Sequence, residues 1–185
     1  MQHKNTVASS QSALLIIDMQ EAFRGSIANF EEIAIRTVIA IRGASLLRLP
    51  ILVTEQYPKG LGHTLAEIKA ALAPETEIIE KTSFSSCGAG QFREQLKRYG
   101  ITQVLVAGIE AHICVNQTVH DLLASEYQVH LLMDCISSRK QIDREIAFRK
   151  MEQSGALASS VELALFELLR DAKHEQFKAI QGLIK

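Results

Sequence analysis

Short apolar or β-branched runs alternate along the chain with longer stretches of helical periodicity. Residues 13–17 (ALLII) read as a buried strand that stops at Asp18. Over 31–47, Ile33, Val38, Ile41 and Leu46 recur at helical spacing, and Pro50 separates that helix from a second strand at 51–54 (ILVT). A polar, turn-rich stretch at 55–64 carries Pro58, Gly60 and Gly62, and a helix at 65–73 is closed by Pro74. Residues 77–80 form a short strand, 81–90 a polar loop, and 92–99 a helix stopped by Gly100, the residue type that most readily adopts a left-handed cap. The clearest strand is 103–107 (QVLVA), ended by Gly108. Helical spacing returns at 114–125, and a further strand at 128–133 ends at Asp134. Helices at 142–153 and 161–169 bracket a short segment at 156–159, and Phe177, Ile180 and Leu183 mark a last docking helix within 171–185.

Strands this uniformly apolar, separated by helices of this length, point to βαβ units whose sheet is covered on both faces. The pattern predicts an α/β fold: a three-layer doubly wound sheet of about six mainly parallel strands with helices on both faces. It occupies a single domain over 1–185 that begins with a polar tail at 1–11. In sheets of this kind the site lies beyond the carboxyl ends of the strands, near the switch in strand order.

Composition narrows the function classes. Hydrophobic residues make up 47% of the 185 and charged residues 22%, which fits a globular chain and not a disordered or coiled-coil one. Twenty basic and twenty-one acidic residues give a net charge of -1, so neither nucleic acid nor an anionic membrane surface is an expected partner. No apolar run approaches the ~18 residues of a membrane span, and the first twelve residues lack a signal-peptide core. Three cysteines argue for a reducing compartment, with the cytoplasm expected and the mitochondrion left open.

Three chemically useful residues stand at strand ends. Asp18 follows the first strand, Lys81 the third, and Cys114 opens the helix after the strand at 103–107. Each has an ordinary reading alone: a turn former, a solvated lysine, a small buried hydrophobe. Parallel strands would gather all three on one rim. A free thiol, with a pKa of ~8.5, is a poor nucleophile near neutrality; Lys81 and a helix N-terminus beside it would favour the thiolate. Asp18 would take the thiol proton and return it to a leaving group.

The local sequences add to this. LLIIDMQEAF (14–23), EKTSFSSC around Lys81 and GIEAHICVNQT (108–118) resemble the isochorismatase-like cysteine hydrolases. TEQYPKGLG (54–62), DCISSR (134–139) and FELLRDAKHEQFK (166–178) look most like the isochorismatase-domain-containing branch, some protozoan members of which are labelled mitochondrial-associated ribonucleases. The resemblance covers 12–185 and implies a Rossmann-like isochorismatase fold with an Asp–Lys–Cys triad at Asp18, Lys81 and Cys114. It also implies a cis peptide between Ile109 and Glu110, and an oxyanion hole formed by the backbone N–H groups of Glu110 and Cys114. Cys114 would attack a carbonyl carbon, and water activated by Asp18 would release the acyl-enzyme. Substrate would be a small molecule with an amide-type C–N bond, and the family's habit of oligomerising, with a mean hydropathy of +0.07, points to a homodimer or homotetramer.

The match has departures. Family nicotinamidases hold a metal with an Asp-x-His pair and a further His; this chain has Glu55-Gln56-Tyr57, with His63 downstream, so no metal and no cofactor are expected. Glu110 replaces a small apolar residue of many relatives. His112 stands two residues before Cys114, a spacing better suited to a pocket or interface role than to a Cys–His dyad. Gln20, Phe23, Gln56, Tyr57 and Phe84 are candidates for the substrate pocket, while Cys87 and Cys135 read as bystanders. Two other functions compete with the hydrolase: a catalytically silent interaction protein that keeps the fold, and, last, a ribonuclease, whose electrostatic footprint the charge balance lacks.

Overall fold

Every residue of β1 (Ser12–Ile17) is buried, because the strand is covered on both sides. Leu14 and Ile16 turn into one hydrophobic cluster; Ala13, Leu15 and Ile17 turn into the other. The computed structural model describes residues 3–185; Met1 and Gln2, the start of the expected polar tail, lie outside the described residues. Among the described residues, β1 is joined by β2 (Ile51–Gln56), β3 (Ile78–Lys81), β4 (Gln103–Ile109), β5 (Gln128–Ser137) and β6 (Leu157–Ser159) in one sheet. All neighbours are parallel and the order is β3-β2-β1-β4-β5-β6. The sheet is thus doubly wound, and its order switches between β1 and β4.

Helices α1 (Phe30–Leu46), α2 (Pro58–Leu61), α3 (Ala66–Ala71), α4 (Gly90–Arg98), α5 (Asn116–Ala124), α6 (Gln141–Gln153), α7 (Val161–Leu169) and α8 (Phe177–Ile184) follow in chain order. Ile33 and Ile41 of α1, Ile68 of α3, Leu165 of α7 and Ile180 of α8 pack on one face of the sheet. Phe92 of α4, Val119 of α5 and Phe148 and Met151 of α6 pack on the other. The C-terminal helix docks on α1 through Ile180, and Phe177 meets Phe166 of α7 edge-on with ring centroids 6.2 Å apart.

β4 runs past Gly108 to Ile109 and the C-terminal helix begins at Phe177 instead of 171, and the structure differs more widely from the sequence pattern in three further places. β5 does not end at Asp134 but runs on to Ser137, because a bulge resets its register: from Val106↔Leu131 to Gly108↔Ile136, two steps on β4 match five on β5. Asp134 sits in that bulge, where its carboxylate accepts the Val161 N–H at 3.0 Å at the head of α7 and pairs with Arg36 at 2.8 Å. The helix expected at 114–125 is preceded by a π-helical turn, Ala111–Val115, in which the Val115 N–H reaches back to the Glu110 carbonyl at 3.2 Å. The described part of the polar tail is docked across the amino ends of the strands. Val7 is buried, its N–H donates to Glu167 Oε2 at 2.9 Å, and the Ala8 N–H donates to Gln103 Oε1 at 2.7 Å.

One glycine is required by close approach. Gly108 has φ 126°, and a Cβ there would lie 2.1 Å from the Ile17 carbonyl oxygen and 2.7 Å from its nitrogen. Both atoms are backbone of the paired strand and cannot swing aside. Gly108→Ala is therefore expected to destabilise the protein by at least about 4 kcal/mol, read as the shift in urea midpoint. Gly25→Ala, where no atom lies within 4 Å of the new Cβ, is the control and should change little.

Candidate active site

The carboxyl ends of β1 and β4 flank the switch in strand order, and the residues that follow them face each other across it. Asp18, the first residue beyond β1, turns with φ 53° and is almost wholly buried. Its backbone N–H donates to the Thr54 carbonyl at 3.0 Å, and its Oδ1 accepts the Thr54 hydroxyl at 2.9 Å. Lys81 ends β3 in register with Gln56 of β2, and its ammonium reaches back over β2. There Nζ lies 2.7 Å from Asp18 Oδ2, 2.8 Å from Gln56 Oε1, 3.0 Å from the Phe84 carbonyl and 3.3 Å from that of Ser83. The Asp18 and Lys81 side chains are each only 1% exposed.

Cys114 sits in the π-helical turn, 6% exposed, with its thiol close enough to Asp18 and Lys81 to feel both charges. The structure therefore gathers Asp18, Lys81 and Cys114 into one buried cluster. Burial pushes the Asp18 carboxyl above the usual carboxylate range, against the pull of the Lys81 charge and of hydrogen bonds from Lys81, Cys114 and Thr54. Burial also pushes the Cys114 thiol up to about 12, with the Asp18 charge adding to it and Lys81 opposing. Lys81 Nζ is paired with Asp18 at 2.7 Å, so its charge is shared with that carboxylate, and burial together with Asp18 outweighs its pull on the Cys114 thiol. An uncharged thiol beside a carboxylate of raised basicity can transfer its proton as it attacks.

The peptide between Ile109 and Glu110 is cis. The Glu110 carbonyl accepts the N–H groups of Ile113 and Val115, at 3.0 and 3.2 Å, which turns the chain into the π-helical segment. The Glu110 carboxylate points to the end of β5, accepting the Arg139 backbone N–H at 3.0 Å and its Nε at 3.1 Å. His112 Nδ1 is 3.0 Å from Ser138 Oγ, so the ring is engaged with the segment after β5. Glu55 and His63, weighed as ligands, pair with each other at 3.0 Å, and the second Glu55 oxygen accepts the Thr64 N–H at 2.6 Å.

The pocket candidates separate. Gln20 is completely buried, with Nε2 donating to the carbonyls of Gln56 and Gly62 and Oε1 accepting the Gln56 N–H. It fastens the rim loop and, with no exposed surface, does not face a substrate. Gln56 holds Lys81 and donates to the Thr82 carbonyl at 2.9 Å. Phe23 is half-buried against the core on the α1 face. Tyr57 and Phe84 are 54% and 52% exposed on the rim. Tyr57, Pro58, Lys59, Glu80, Lys81 and Thr82 line a cleft of about 370 Å³, within the usual range for small-molecule sites.

Sequence reasoning missed three hydroxyls behind this cluster: Thr54, Ser86 and Thr118, all fully buried. Ser85 caps the turn that follows it, accepting the Cys87 N–H at 3.2 Å, while the neighbouring Ser86 turns into the interior. Thr54 at a strand end and Ser86 in the loop after Lys81 were visible as polar residues at the rim, but nothing in the pattern tells which way they turn.

Comparison with known proteins follows from this geometry. The isochorismatase domain model matches residues 12–162. Isochorismatase domain-containing protein 2 of Macaca fascicularis is 46% identical over 180 residues, covering 97% of this chain and 85% of that protein. Its Homo sapiens counterpart is 43% identical over the same length and shares. Among solved structures, the MAR1 ribonuclease of Caenorhabditis elegans superimposes with a TM-score of 0.93 at 42% identity, covering 97% of this chain and 92% of that one. The Escherichia coli YcaC gene product, described as an octameric hydrolase of unknown specificity, matches with a TM-score of 0.92 at 20% identity over 100% and 91% of the two chains, a likeness of fold alone. With the matched domain running from β1 into α7, and relatives above 40% identity spanning 97% of the chain, this protein belongs to the isochorismatase family.

Proposed function

We propose that the protein is a cysteine-dependent hydrolase that cleaves the amide-type C–N bond of a small molecule through an acyl-enzyme on Cys114. The observation that carries this reading is the Asp18 carboxylate, held between Lys81 Nζ at 2.7 Å and the Thr54 hydroxyl at 2.9 Å with the Cys114 thiol against it. Cys114 Sγ attacks the carbonyl carbon while Asp18 takes the thiol proton. The backbone N–H groups of Glu110 and Cys114 receive the oxyanion, each such donor contributing about 2.7–4 kcal/mol to the transition state. The tetrahedral species collapses, the C–N bond breaks, and Asp18 gives its proton to the departing amine. Water then attacks the thioester as Asp18 takes its proton, the C–S bond breaks, and Asp18 passes that proton to sulfur, releasing the acid and restoring both the thiol and the carboxylate base. Lys81 keeps Asp18 ionised before attack and in place throughout. Exposed Ile142 and Ile146 on α6 support the further reading of a homo-oligomer.

A ribonuclease reading draws on the name of the Caenorhabditis elegans structure. It needs cations free to meet phosphates. Arg139 is instead paired with Glu110, and Arg144 donates to the carbonyls of Ile136 and Met133 at 2.9 Å each. Acyl transfer by a thiol also offers no direct route to phosphodiester cleavage.

Iodoacetamide labelling, resolved by peptide mass spectrometry, tests the hydrolase reading before a substrate is known. Burial pushes the Cys87 thiol up to about 11 and that of Cys114 to about 12. Ionisation alone would therefore make half-buried Cys87 the faster by about tenfold at pH 7. Base assistance by Asp18 reverses this order, and we expect Cys114 to label first. If Cys87 leads, the catalytically silent interaction protein becomes the better account.

A further inference from the structure

Behind the reactive cluster lies a line of hydroxyls with a definite proton order. The Thr54 hydroxyl donates to Asp18 Oδ1 at 2.9 Å, and the Thr118 hydroxyl donates to the Cys114 carbonyl at 2.7 Å. Ser86 stands between them, its Oγ 3.5 Å from Thr54 Oγ1 and 3.4 Å from Thr118 Oγ1, and its backbone N–H donates to Thr118 Oγ1 at 2.9 Å. Each hydroxyl has one proton to give. With both threonine protons directed outward, to the base on one side and to the nucleophile's own carbonyl on the other, the Ser86 proton can serve only one threonine oxygen at a time. The line thus connects β2, the loop after β3 and the π-helical turn at the point where their functional side chains meet.

We propose, resting on the hydrolase reading above, that Thr54 is a positioning residue for the Asp18 base, with Ser86 and Thr118 aligning it from behind. Of the three donors to Asp18, Lys81 meets Oδ2 and the Cys114 thiol gives up its proton during reaction. Thr54 is the donor that holds Oδ1 before and after the transfer, and it does so in a place with no exposed surface. Without it, Oδ1 loses the hydroxyl that meets it in a place closed to water, and Asp18 answers by keeping a proton to higher pH.

The test is the pH profile of Cys114 labelling by iodoacetamide, from pH 4.5 to 8.5, in wild type, Thr54→Val, Thr54→Ser and Asp18→Asn. Wild type should show an acid limb where Asp18 titrates, and Asp18→Asn should lack it. Thr54→Val should move that limb upward by about one pH unit, a roughly tenfold loss of rate on the limb, while the plateau changes little. Thr54→Ser, which restores the hydroxyl, should return the limb to its wild-type position. A purely structural role would lower the whole profile and leave the limb where it was. If the limb of Thr54→Val stays in place while Asp18→Asn removes it, the positioning role is overturned and the hydrolase reading stands. If wild type has no limb, or Asp18→Asn keeps it, the hydrolase reading itself falls. Should valine not be accommodated in β2, Thr54→Ala carries the same expectation.

Discussion

In Asp18→Asn, labelling of Cys114 at pH 7 should fall by a factor of about 10²–10⁴, the range that a positioned general base contributes. The thiol, pushed up to about 12, leaves only about one part in 10⁵ as thiolate at pH 7. Rapid reaction at neutrality therefore depends on a partner that takes the proton during attack. Asparagine can still accept the Thr54 hydroxyl but cannot receive a proton. The loss should shrink as pH climbs towards the thiol's own ionisation, while Cys87, in the loop after β3, keeps its wild-type rate at every pH. A uniform loss at both cysteines would indicate damaged folding and not a missing base, so the ratio between the two sites is the quantity to measure.

Lys81→Met should cost about 3–5 kcal/mol of stability at neutral pH, because removing one partner of a buried pair strands the other. The side chain is closely matched in length, so little of the loss comes from packing. The pH dependence has a definite sign. Asp18 already titrates above the ordinary aspartate value of 3.8, and without Lys81 it moves higher still. Between 3.8 and that raised value the native state holds a proton that the unfolded chain has released, so stability declines as pH rises through the window. The gap between wild type and Lys81→Met, read from urea unfolding, should therefore be smaller at pH 5 than at pH 8. Equal gaps at the two pH values would mean that Asp18 is not the group left uncompensated. Asp18→Asn combined with Lys81→Met should recover a large part of the loss, since a neutral pair no longer carries a buried charge.

The features legible in the sequence were those set by local pattern. The apolar runs located the strands, and the polar stop at Asp18 marked the carboxyl rim where Asp18, Lys81 and Cys114 meet, although β4 runs past the expected stop at Gly108 to Ile109. What stayed hidden depends on a partner across the fold. β5 passes Asp134 because the bulge exists only in relation to β4, and Gln20 looked like a substrate ligand because its burial comes from the loop at Gln56 and Gly62. The pairing of Lys81 was hidden for a related reason: it is a lone cation in the sequence, but in the fold its charge is engaged by Asp18 as well as facing Cys114. Hydroxyl direction at Thr54, Ser86 and Thr118 is a matter of rotamers, which periodicity does not encode.

The contact of Gly108 with Ile17 has a mechanical consequence. β1 and β4 are paired in register from Ser12↔Gln103 to Ile17↔Gly108, so neither strand end can slide or hinge against the other without breaking that ladder. The halves of the sheet carrying Asp18 and Cys114 consequently move as one body, and a substrate cannot adjust the spacing between base and sulfur. Accommodation is left to the outer rim, where exposed Tyr57 and Phe84 stand on loops beyond β2 and β3. On the proposed hydrolase reading, exchanging those two aromatic residues would alter substrate preference while the geometry of Asp18, Lys81 and Cys114 behind them stayed constant.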